Sequence, residues 1–146
     1  MPDITRRDAI RAMVGATALG SLATAVEACG GGGSGTSSSP APISSAPDGL
    51  AGKTITSASK VPVGGGTILA GDHVVVTQPK QGVFNAFSST CTHQGCTVGQ
   101  VSGGLIKCPC HGSEFHIKDG TVAHGPAQRP LPRYRVALKG DAVTLA

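Results

Sequence analysis

Two short segments hold most of the side chains suited to binding a metal or forming cross-links: Cys91-Thr92-His93-Gln94-Gly95-Cys96 and Cys108-Pro109-Cys110-His111-Gly112-Ser113. Each offers a Cys and a His at short spacing and adds a second Cys. Thiolate sulfur and neutral imidazole nitrogen both bind soft transition-metal ions, so two Cys and two His would suit tetrahedral zinc. Four Cys would also suit a disulfide framework, with three possible pairings. Zinc leaves two Cys idle beside the ligands, and a disulfide framework gives the two His no role.

Binding groups of this kind need a rigid frame. From residue 49 onward the chain alternates short apolar or β-branched runs with turn-formers, and nothing reads as a long amphipathic helix. Strands are expected over residues 54–57, 67–69, 73–78, 83–88, 97–101, 105–107, 113–117, 133–138 and 142–145. They are separated by Gly64-Gly65-Gly66, Gly71-Asp72, Gln81-Gly82, Gly103-Gly104, Asp119-Gly120 and Gly140-Asp141. Many short strands at regular spacing predict an all-β fold, an antiparallel sandwich or barrel. The Cys and His then fall in loops between strands, where binding groups commonly sit. With no Trp, one Tyr and three Phe the core is thin, so a domain of this size is expected to lean on a metal or a disulfide.

A chain of 146 residues suggests one domain with appendages, and the appendages lie in front. Residues 1–28 have a basic start, an apolar stretch from residue 12 to 26 and small residues before Cys29, which together read as a targeting leader. The apolar stretch is broken by Gly15 and Gly20 and falls short of the roughly 20 apolar residues a spanning helix needs. Thr5-Arg6-Arg7-Asp8-Ala9-Ile10-Arg11 resembles the twin-arginine export signal, with Ala9 where that pattern usually has Phe. Val26-Glu27-Ala28-Cys29 resembles a lipoprotein processing site that would make Cys29 a lipidated N-terminus, Glu27 being the departure. Residues 29–48 read as that lipidated Cys followed by a Gly/Ser/Pro linker too poor in large apolar groups to fold. As a random coil, residues 30–48 would reach about 25 Å. Arg6, Arg7 and Arg11 are expected to carry much of the net charge of +4, leaving the domain of residues 49–146 mildly basic. Arg129, Arg133, Arg135 and Lys139 read as a solvated face, and no nucleic-acid partner is expected.

The two Cys/His segments closely resemble those of the Rieske family, and Gly125-Pro126-Ala127 through Pro130-Leu131-Pro132 resembles that family's third, proline-rich loop. The resemblance implies one 2Fe-2S cluster, with Cys91 and Cys108 on one iron and His93 and His111 on the other. It also implies a disulfide between Cys96 and Cys110 and a small cluster-binding subdomain of loops. In respiratory members a Ser after the second His and a Tyr two residues later donate hydrogen bonds to sulfur. Ser113 fills the first of these positions and Phe115, which has no hydroxyl, the second. His73, His116 and His124 match no motif position and read as surface or turn residues.

The resemblance implies electron transfer rather than catalysis by the chain itself. The expected setting is the outer face of the cytoplasmic membrane, with a redox partner from a quinol or cytochrome chain. The alternative is a small Rieske subunit of a periplasmic molybdenum oxidoreductase similar to arsenite oxidase. An oxygenase is not expected, because the chain has no room for a second catalytic domain.

Overall fold

The computed structural model describes residues 39–146. The leader, the twin arginines, Cys29 and the first part of the linker lie outside the described residues. Twelve strands make up the described fold: β1 (Ile43–Ser44), β2 (Thr54–Ser57), β3 (Gly65–Leu69), β4 (Val74–Lys80), β5 (Val83–Ser88), β6 (Gln100–Ser102), β7 (Leu105–Lys107), β8 (Glu114–His116), β9 (Val122–His124), β10 (Arg133–Tyr134), β11 (Val136–Lys139) and β12 (Ala142–Leu145). They form a five-stranded sheet in the order β1-β10-β5-β4-β3, a three-stranded sheet β11-β12-β2 and a four-stranded sheet β6-β7-β8-β9. Every strand pair is antiparallel except β1 with β10. No helix among the described residues is long and apolar enough to cross a membrane.

The β4-β5 pair is the wall on which the rest is built. Strand side chains alternate between faces, so a run such as Val74-Val75-Val76 can serve two cores only if both faces are covered. Val75 and Phe87, paired in register, face a core that includes Cys91, Cys108, Ile106, Phe115, Ile117 and Leu131. Val74, Val76 and Ala86 face the other way, against Leu50, Val61, Val143 and Leu145. The first core lies beneath the Cys/His loops, and the second fills the base.

On the cluster-loop side of this wall the next register pair is polar. Thr77 and Asn85 are both buried. The Thr77 hydroxyl donates to the Ile117 carbonyl at 2.8 Å, and Asn85 Nδ2 donates to the Lys118 carbonyl at 3.0 Å. Arg133 in turn donates to Asn85 Oδ1 at 2.6 Å. The buried Ile117 carbonyl just past β8 would otherwise lack a partner, at about 1–3 kcal/mol. The turn after it approaches so closely that a Cβ on Gly120 would lie 2.7 Å from the Phe87 ring.

Several expected elements differ. Ile43 and Ser44, read as linker, form β1: Arg133 N–H donates to the Pro42 carbonyl, and Ala41 is buried just before it. The pairing partner lies 90 residues downstream, so local composition carries no sign of it. The strand expected over residues 97–101 starts only at Gln100, because Val98 N–H bonds Ser89 and Gly99 N–H bonds Lys107 in the base of a loop. The single strand expected over residues 133–138 is two, β10 pairing with β5 and β11 with β12, with exposed Arg135 at the change of sheet. β9 lies where the sequence suggests no strand. The charge expectation also changes: Asp3, Asp8 and Glu27 balance the three leader arginines, so the net +4 belongs to residues 39–146.

Candidate metal centre

The two Cys/His segments fold alike. The first, residues 91–96, is closed at its base by the bridge between Thr90 and Thr97, and the second, residues 108–113, by the register pair Lys107 and Glu114. The leading Cys91 N–H donates to the Cys96 carbonyl at 2.7 Å, and Gly95 N–H donates back to the Cys91 carbonyl at 3.0 Å. In the second loop Cys108 N–H donates to Ser113 at 2.8 Å and Gly112 N–H to Cys108 at 3.1 Å. Both returns require a left-handed residue in the fifth position, and Gly95 and Gly112 each sit at φ 77°. Glycine adopts that conformation without the steric cost a Cβ imposes.

This shared loop places sulfur inside and nitrogen outside. The Cys91 and Cys108 thiols are free and each only 3% exposed, while His111 is exposed and His93 half-buried. The two imidazoles meet edge to face with ring centroids 4.8 Å apart. Cys96 and Cys110 form a disulfide that ties one loop to the other. The Sγ atoms of Cys96, Cys108 and Cys110 all lie within 4.8 Å of one another, so the disulfide stands directly beside the Cys108 thiol.

Electrostatics at Cys108 pull both ways. Burial pushes its thiol above the ordinary value, and the neighbouring Cys91 sulfur adds to the rise, whereas the backbone N–H groups of Cys110 and His111 favour the thiolate. Such N–H groups aimed at sulfur suit a cysteine that is to carry negative charge to a metal.

The third loop closes over the other two. Ala127 N–H donates to Ser113 Oγ at 3.0 Å, and the Thr92 hydroxyl donates to the Arg129 carbonyl at 2.6 Å. Ser113 is fully buried and its Oγ accepts this bond, which leaves the hydroxyl proton free to donate elsewhere. Phe115 is buried in the core beneath the loops. His73, His116 and His124 are all exposed. The sequence does not show what Thr92, Thr77 and Asn85 bond to. The one available signal was a polar Asn85 inside the apolar run of β5.

The residues fit an iron–sulfur cluster with mixed ligands. Two buried thiols and two imidazoles converge from twin loops, and His93 Nδ1 is buried with no hydrogen-bond partner among the described residues. A buried nitrogen without a donor or acceptor is costly unless a metal uses its lone pair. An all-β domain with this centre is of the iron–sulfur protein class whose cluster takes both Cys and His.

The family model described as the Rieske [2Fe-2S] domain matches residues 54–135, more than half of the chain. The chain belongs to that family, and its cofactor is a Rieske-type 2Fe-2S cluster. It is 34% identical over 95 residues to the cytochrome b6-f complex iron-sulfur subunit of Chlorobaculum thiosulfatiphilum, covering 64% of this chain and 52% of that one. The chain thus spans about half the length of this curated relative. A chain of the complex of reduced oxygenase and oxidized ferredoxin in carbazole 1,9a-dioxygenase matches with a TM-score of 0.53 and 28% identity, covering 64% of this chain and 99% of that one. A chain of a hyperthermophilic respiratory complex III gives a TM-score of 0.52 at 26% identity, covering 65% and 75%.

Proposed function

We propose that this protein carries single electrons for a respiratory redox partner at the outer face of the cytoplasmic membrane. Cys91 and Cys108 hold one iron of the cluster, and His93 and His111 hold the other. The observation that carries the reading is the sorting of the site: two buried thiols beneath two imidazoles that touch at the surface. When bound, the cluster supplies a one-electron acceptor. The ligands set its ease of reduction: replacing two thiolates by two neutral imidazoles removes negative charge, which places such centres at roughly −150 to +300 mV. Ser113 adds a hydroxyl donor beside sulfur, and Phe115 withholds a second one. His111 brings its ring to the surface, where an electron can enter or leave and a proton can pass to water.

The disulfide supports the setting, because such bonds persist outside the reducing cytoplasm. A twin-arginine leader would carry the domain across already folded, and a lipid on Cys29 would hold it at the membrane. The carbazole dioxygenase match favours a second reading, a freestanding ferredoxin-like carrier, which would not need an anchor.

Absorption and low-temperature EPR spectra of the purified protein test the centre: a Rieske signal is expected, and a colourless, EPR-silent zinc protein would overturn it. Co-purification with a tagged chain tests the setting. A cytochrome or quinol-oxidising complex is the expected companion. A molybdenum subunit would select the alternative Rieske subunit, and an oxygenase would select the ferredoxin reading.

A further inference from the structure

The sulfur chemistry at the site extends past metal binding. Three cysteine Sγ atoms, those of Cys96, Cys108 and Cys110, lie within 4.8 Å of one another, yet only two of them are joined. The third, Cys108, is a free thiol standing beside an intact disulfide. From this geometry we infer that Cys96, Cys108 and Cys110 form an intramolecular thiol–disulfide exchange site that closes the metal centre whenever Cys108 is not engaged as a ligand. This rests on Cys108 being a ligand, as proposed above.

The step needs no outside oxidant. The Cys108 thiolate attacks Cys96 Sγ, the Cys96–Cys110 bond breaks as the Cys96–Cys108 bond forms, and the electron pair leaves on Cys110 Sγ, which takes up the proton that Cys108 gave away. Cys110 is exposed, so the departing thiolate is released to water. Attack on Cys110 is disfavoured, because it would join residues only two apart in the chain. The exchange also costs little chain entropy. Cys108 and Cys110 belong to the same loop, so the two loops stay tied, and the sequence separation of the joined residues falls only from 14 to 12.

The product has lost one of its two buried thiols and cannot hold the cluster. Loading therefore has an order built into the fold. The Cys108 sulfur must be occupied before the Cys96–Cys110 bond forms, which agrees with passage of an already loaded domain into an oxidising compartment. Loss of the cluster afterwards is self-sealing.

Peptide mapping tests this directly. The full chain is stripped of iron by a chelator under anaerobic conditions, held at neutral pH, alkylated, digested without reductant and sequenced by fragmentation. The stripped chain should yield about tenfold more Cys96–Cys108 linkage than the loaded chain, with Cys110 alkylated. Retention of Cys96–Cys110 alone, with Cys108 alkylated, would overturn the exchange site. A Cys108→Ser variant carried through the same procedure should keep the native pairing. Equal scrambling in that variant would show that Cys91 or another thiol attacks, and would equally overturn the inference. Alkylation of Cys108 in the iron-loaded chain would refute the ligand assignment instead, whatever the stripped chain does.

Discussion

The two faces of the β4-β5 wall are held together by different means. The base is an ordinary apolar core of Val, Leu and Ala on strands that pair along their length. The cluster side has three-residue strands and long returns, and its order depends on pins: a disulfide, the Thr92 and Ser113 bonds to the third loop, and the Thr77 and Asn85 bonds to the turn after β8. Burial of apolar area stabilises without fixing direction, whereas hydrogen bonds and cross-links fix position. A site that must hold a metal cluster in one geometry uses the second kind.

The sharpest way to separate the two sides is to remove a ligand. Cys108→Ala or His111→Ala should abolish the cluster while the base sheet stays folded, read by loss of the EPR signal with far-UV circular dichroism retained. A normal Rieske spectrum from either variant would refute the assignment. Core truncations come next. Leu145→Ala should cost about 2–5 kcal/mol and Phe87→Ala about 3–5 kcal/mol in denaturant titrations. Only the Phe87 variant should also speed cluster loss, since Phe87 alone of the two lies in the core under the loops.

Cys96→Ser tests a pin directly. Removing a cross-link over a sequence separation of 14 should cost about 3 kcal/mol and make the cluster labile to heat and oxidants without removing a ligand. Unchanged cluster half-life would show that the hydrogen bonds alone hold the loops. Phe115→Tyr should leave stability nearly intact and raise the reduction potential. A hydroxyl that favours the reduced sulfur by about 1 kcal/mol corresponds to about 40 mV for one electron. A titration at or below the parent value would remove Phe115 from the account of the potential.

The smallest effect is expected at the hairpin between β8 and β9. Partial burial raises the Asp119 carboxyl, but the Thr121 hydroxyl and amide, with His116 and Lys118 nearby, hold it on balance below its ordinary value of 3.8. A depressed carboxyl contributes stability that is fully present above 3.8 and is lost as pH falls through the lower folded value. Hydrogen exchange of the residue 117–121 turn should therefore quicken in acid below that point, and Asp119→Asn should flatten the response.

Part of this was legible because it is local. A six-residue loop with Cys first and Gly fifth folds by bonds within itself, so the cluster loops could be read as strings of residues. Strands β2, β5, β7 and β12 were also readable to their ends, since apolar alternation and flanking turn-formers are local signals. Asn85 was visible as an oddity in an apolar strand, but its partners at Ile117 and Lys118 were not, because they lie more than thirty residues away.

By itself the sequence showed which side chains could bind a metal, the loop that presents each of them and the all-β character of the frame, because these depend on spacing over a few residues. Only the tertiary structure decided that residues 43 and 44 join the sheet, that residues 133–138 divide between two sheets, and that the Cys108 sulfur stands beside the disulfide. Those outcomes depend on which distant backbone edges and sulfurs meet once both faces of the β4-β5 wall are covered, a condition that no short stretch of chain encodes.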